Sequence, residues 1–82
     1  SEQKEQIQIE IAINNNDNER LLWLKQRSNM DIIFEYKSPL DQNQTRIILR
    51  VKLRHLLTFI RECAQFEADN SLTIIQIYDH FY

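Results

Sequence analysis

Residues 45–63 read TRIILRVKLRHLLTFIREC, and the fold turns on where this run stops being a strand and becomes a helix. Up to Lys52 the apolar residues Ile47, Leu49 and Val51 recur at every second position. Arg46, Ile48, Arg50 and Lys52 fill the positions between them. That is the pattern of a strand with one buried face. From Leu53 onward the spacing changes: Leu53, Leu56, Leu57, Ile60, Ala64 and Phe66 recur at helical spacing. This predicts a helix over 53–68 with those side chains on the sheet. No glycine or proline separates the two patterns. The same stretch holds five of the chain's ten Lys and Arg residues, although the chain's formal net charge is −2.

Working outward, MDIIFEYK at 30–37 is a second strand, and SPLDQNQ, with the only proline, Pro39, is the loop that joins it to 45–52. Strict alternation there sets Ile32, Phe34 and Tyr36 on one face and Ile33, Glu35 and Lys37 on the other. QIQIEIAI at 6–13 alternates cleanly, with Ile7, Ile9, Ile11 and Ile13 on the buried face. NNNDN at 14–18 is a loop whose side chains can cap a helix. Residues 19–28 read as a short helix, with Glu19 early and Lys25 and Arg27 late, as the helix dipole favours. The competing reading of 19–28 is a strand. After 68 the chain closes with SLTIIQIYDHFY; residues 72–80 suit a strand, with a helix capped by Ser71 as the alternative.

The resulting order is β-α-β-β-α-β, the ferredoxin-like pattern. It predicts an α+β sandwich: a four-stranded antiparallel sheet with both helices on one face and the other face open. The alternative is a hairpin-rich α+β fold of the ubiquitin-like kind. Eighty-two residues, 43% of them apolar, suit one small domain spanning 1–82. A first residue of Ser rather than Met suggests a domain cut from a longer protein.

Composition removes several function classes. No apolar run approaches the roughly 18 residues of a membrane span. The polar start SEQKEQ lacks the apolar region of a secretory signal. A single cysteine, Cys63, allows no internal disulfide and points to a reducing compartment, cytoplasmic or nuclear. The chain has no glycine at all, which excludes the P-loop, the dinucleotide fingerprint and the nucleophile elbow. His55 and Cys63 lie eight residues apart, so they share no helix face as metal ligands. His55 reads as a helix-surface residue, Cys63 and Trp23 as core residues. His80 sits near the terminus beside Phe81 and Tyr82. No serine has an assignable base and the carboxylates are scattered. We expect no catalytic residue, metal or cofactor.

The charge is segregated, at −4 over 1–19, +6 over 20–61 and −4 over 62–82. Arg46, Arg50, Lys52, Arg54 and Arg61 are the candidate contacts for an anion or phosphate. A solvated strand face is the plainer reading, with Glu10 pairing across the sheet with Arg46 or Arg50. The central strands show no aromatic residue outward, unlike the RNA-recognition version of this fold. Alternation also sets Ile33, Ile48 and Ile74 on the open sheet face, where an apolar centre with a polar rim suits a partner. The expected function is therefore a non-catalytic protein–protein interaction or assembly domain. Its partner would be a second copy bound through the sheet face or another subunit. The alternative is nucleic-acid or acidic-phospholipid binding through 46–61.

Overall fold

The computed structural model describes residues 6–14, 18–27 and 29–78. Strand β1 (Gln6–Asn14) leads to helix α1 (Asn18–Lys25), then to the hairpin strands β2 (Met30–Lys37) and β3 (Gln44–Lys52). Helix α2 (Leu56–Glu67) and strand β4 (Leu72–Tyr78) complete the chain. The strands form one sheet in the order β2-β3-β1-β4, and all three neighbouring pairs are antiparallel. The fold is a small α+β one, with residues 18–25 helical and residues 72–78 extended.

β1 and β3 form the centre and stay in step from Gln6↔Lys52 to Asn14↔Gln44. Ile7, Ile9, Ile11 and Ile13 stand beside Val51, Leu49, Ile47 and Thr45, so one face of this pair is a continuous aliphatic surface. Leu24 from α1 and Phe59 and Cys63 from α2 join these isoleucines in the buried core. Both helices therefore cover the same face. Each such side chain contributes about 1.5–3 kcal/mol by leaving water, and the two central strands supply most of them.

The register of α2 differs from the periodicity read in the sequence. Its inward seam is Leu56, Phe59, Cys63 and Phe66, at steps of three and four. Leu57 is 67% exposed and Leu53 also lies in water. The physical reason is the junction. Lys52 is extended at φ −63° and ψ 140°, and Leu53–His55 form a 3-10 turn before α2 begins at Leu56. This tighter turn winds by about three residues per turn rather than 3.6, so counting an α-helical face from Leu53 starts out of phase. The same turn lets strand run into helix without glycine.

At the other end of α2, Asn70 takes the left-handed conformation at φ 62°. Ser71 N–H donates to the Phe66 carbonyl at 3.1 Å and Asn70 N–H to that of Glu67 at 3.2 Å. This is the reciprocal pair of a Schellman stop, with asparagine in the place usually held by glycine.

The edge strands depart from simple alternation. In β2, Ile32 faces Leu49 and Phe34 faces Ile48, so Ile33 is an extra residue. In β4, Ile74 faces Ile11 and Gln76 faces Glu10, so Ile75 is extra. Each bulge reverses the facing of everything after it. Phe34 and Tyr36 therefore join the open face with Ile48 and Arg46, instead of following Ile32. Ile74 is corrected in the other direction: it pairs with inward Ile11 and packs on the core beneath the helices.

Candidate functional site

The open face is organised around one carboxylate. Glu10 lies mid-way along β1, between Ile48 on β3 and Gln76 on β4. It is only 8% exposed, although it belongs to the face without helices. Its cover comes from both edges of the sheet. Tyr36, on β2, donates its hydroxyl to Glu10 Oε2 at 2.9 Å. Tyr78, on β4, donates to Oε1 at 3.0 Å. Arg46, on β3, donates through Nη1 to Oε2 at 3.0 Å. The carboxylate thus accepts three hydrogen bonds, one from each of the other three strands. Of the two arginines that cross-strand pairing allowed, Arg46 makes the bond.

Both tyrosines reach this site through a bulge. Counted by strict alternation from inward Ile32, Tyr36 would point beneath the helices. Counted from inward Leu72 and Ile74, so would Tyr78. The extra residues Ile33 and Ile75 turn each ring onto the open face. The two edge strands carry the same short pattern, Ile-Ile-x-x-Tyr, at 32–36 and 74–78. β3 also contains an Ile-Ile pair, at 47–48, but continues to Val51 and is regular.

The protonation states follow from these contacts. Burial would raise the pKa of Glu10. The hydrogen bonds from Tyr36, Arg46 and Tyr78, with the charge of Arg46, outweigh it and hold the carboxyl below its usual range. Donation to Glu10, assisted by partial burial, pushes the phenols of Tyr36 and Tyr78 above theirs. At neutral pH the cluster is one carboxylate, two neutral phenols and one guanidinium.

Apolar side chains lie beside this polar centre. Phe34 is 57% exposed and its ring centroid is 5.6 Å from that of Tyr36. Ile48, facing Phe34 across the strands, is half-buried, and Ile33 at the bulge is exposed. Ile74, the third residue assigned to this surface from alternation, is on the opposite side of the sheet. Phe34, Tyr36, Tyr78 and Glu10 were not assigned to any site by alternation alone; the repeated Ile-Ile-x-x-Tyr pattern was the available signal.

The basic residues separate into groups. Arg46 is engaged by Glu10 at 3.0 Å. Arg61 is exposed on α2 and stands apart from the others. Arg50, Lys52 and Arg54 converge with His55 on a pocket of about 380 Å³ at one end of the open face. Gln6, Asn29, Met30 and Asp31 complete its walls.

Further basic charge stabilises the outer side of the helix pair. Trp23 stacks on Phe59 at 6.5 Å and meets Phe66 edge-on at 4.8 Å. The Arg20 guanidinium lies 4.1 Å over Phe66, and that of Arg27 lies 4.9 Å over Trp23. Arg27 also pairs with Glu62. Trp23 is thus a half-buried packing residue. Cys63 is fully buried, and burial, with Glu67 and Glu62 nearby, pushes its thiol up to about 12. His55 accepts a hydrogen bond at Nε2 from Arg54 Nε at 3.3 Å. Ser28 and His80 lie outside the described residues.

Among the described residues, no group of three His, Cys, Asp or Glu side chains is placed to hold a metal ion. No helix among them is long and apolar enough to cross a membrane. Comparison with protein-family models, with curated protein sequences and with solved structures gives no match.

Proposed function

We propose that this chain is a non-catalytic assembly domain of ferredoxin-like topology that binds a second copy of itself through its open sheet face. The strand order, with β1 and β3 central and the two hairpin and crossover partners outside, supports that topology. It carries no function with it.

One observation carries the functional reading: the Glu10 carboxylate at the centre of the face already accepts three hydrogen bonds, while apolar side chains next to it are exposed. Covering a bare carboxylate with a partner would cost several kcal/mol in lost solvation. Glu10 accepts its three bonds within the chain, so a partner can cover it without supplying any. Phe34, Ile33 and Ile48 then provide the apolar area, and Gln6, Gln8 and Gln76 a neutral polar rim. Two copies meeting face to face bring no uncompensated like charge together at that centre, because Glu10 and Arg46 cancel in each. The same protonation pattern supports a domain without chemistry of its own. A carboxyl held ionised and phenols held neutral offer no proton-transfer pair poised near neutrality. The buried single thiol suits a reducing compartment, the cytoplasm or nucleus.

Sedimentation equilibrium tests this reading. We expect concentration-dependent dimers over the micromolar range, abolished by Phe34→Asp and weakened by Ile48→Asp, with the unfolding midpoint of Phe34→Asp close to wild type. A chain that stays monomeric throughout excludes the second copy as the partner. Dimers that persist in Phe34→Asp place the contact elsewhere.

A further inference from the structure

We propose that the pocket formed by Arg50, Lys52, Arg54, His55, Asn29 and Asp31 binds a dianionic phosphate group. Only Gln6, at the rim, is shared with the assembly face; the cations and the Asp31 carboxylate of the pocket are not part of that face, and the two proposals are tested separately. Three segments build the pocket. Gln6 and Lys52 are paired across β1 and β3, and Arg50 lies two residues back on the same face. Asp31 faces Arg50 from β2. The 3-10 turn after β3 then folds Arg54 and His55 over the same end. The junction that ends the strand without glycine is thus what adds a third cation to two already on the sheet.

The charge and size select the ligand class. Among the described residues that line the pocket, Arg50, Lys52 and Arg54 bring three cations to the one carboxylate of Asp31, in a chain whose total charge is negative. A concave cationic pocket in an acidic protein concentrates the field of its charges locally. Two guanidiniums offer forked donors that match phosphate oxygens, and Asn29 and Gln6 add amide donors. Asp31 disfavours a large polyanion that would lie across it, which fits a compact terminal phosphate better than a nucleic-acid backbone. A volume of about 380 Å³ accommodates a phosphate and the first atoms of the group that carries it. The carrier is either a soluble monoester or a lipid headgroup, since both present the same dianion.

The probes are inorganic phosphate, glycerol phosphate and vesicles containing phosphatidic acid, added to the ¹⁵N-labelled chain at low ionic strength. We expect saturable shifts of amide signals confined to residues 29–31 and 50–55, with those of Arg46 and Arg61 unmoved. Arg50→Gln or Arg54→Gln should weaken phosphate binding by about tenfold. Asp31→Asn should tighten it, which is a gain that misfolding cannot imitate. Tighter binding of glycerol phosphate than of vesicles identifies a soluble ligand; the reverse identifies a headgroup. Shifts scattered over all exposed cations, no saturation at tens of millimolar phosphate, or an Asp31→Asn chain that binds no better would each overturn the proposal. So would an oligonucleotide that outcompetes phosphate while shifting signals across the whole sheet.

Discussion

β1 and β3 keep one register along their whole length, whereas β2 and β4 each take in an extra residue and change facing part-way. The difference follows from what holds each strand. A central strand is hydrogen-bonded on both sides and buried on its helix face, so a one-residue slip would expel every inward isoleucine at once. An edge strand is bonded on one side only, and a bulge there disturbs a single ladder. What the edges lose in regularity they gain in reach, because each bulge turns a tyrosine onto the open face. The centre of the sheet supplies stability, and the edges shape the surface.

Among the strands, the largest effect should fall on the centre. Leu49→Ala removes a fully buried side chain from β3 and should cost about 2–5 kcal/mol. Ile75→Ala, at the β4 bulge and partly in water, should cost about 1 kcal/mol or less. Chemical denaturation of both variants checks the contrast. Equal losses would mean that β4 is not the loosely held edge described here.

Intermediate effects should come from the bonds that join edges to centre. Glu10→Gln replaces a carboxylate accepting three bonds with an amide that can satisfy only part of them, and should cost about 1–3 kcal/mol. Tyr36→Phe and Tyr78→Phe should each cost less, and each should cost less again when Glu10 is already Gln. Stability should also depend on pH at both extremes. Glu10 has a lowered pKa in the folded chain, so its contribution is present above the ordinary carboxylate value of 4.5 and is lost as pH falls through the folded value. The two phenols have raised pKa values, so their contribution is present below 10.0 and is lost as pH rises through the folded values. Thermal melts of wild type and Glu10→Gln across pH should show the variant flatter at both ends.

The smallest effect should be that of Leu57→Ala. Leu57 looks like a core residue by spacing from Leu53 but is exposed, so the change should cost about 0.5 kcal/mol or less, while Phe59→Ala should cost about 3–5 kcal/mol. A large loss for Leu57→Ala alone would restore the unbroken helical register from 53.

These cases show what was legible in the residues. Element order, the central strands and their inward isoleucines follow from alternation, because period two is unambiguous where both neighbours enforce it. The short helix at 18–25 and the closing strand at 72–78 were readable as preferences between two alternatives. The facing of Phe34, Tyr36 and Ile74 was not, since alternation has no means of counting an inserted residue. The phase of α2 was not either, because the 3-10 turn at 53–55 has no composition of its own. The Glu10 cluster depended on both bulges, so only its Arg46 arm was visible, as one of two allowed cross-strand pairs. The basic stretch at 45–63 divides in the same way: Arg46 is bound to Glu10, while Arg50, Lys52 and Arg54 share the pocket.

The claim on which the rest depends is that both edge strands deliver a tyrosine hydroxyl to Glu10. The most direct measurement is a pH titration of the chain with ¹³C-labelled tyrosine rings, followed by NMR in wild type and Glu10→Gln. The ring signals assigned to Tyr36 and Tyr78 should titrate above 10.0 in wild type, and both should move back toward it when Glu10 is replaced. If either tyrosine titrates normally in wild type, or is unmoved by Glu10→Gln, its bulge does not bring that ring to the carboxylate and the account of the open face is wrong.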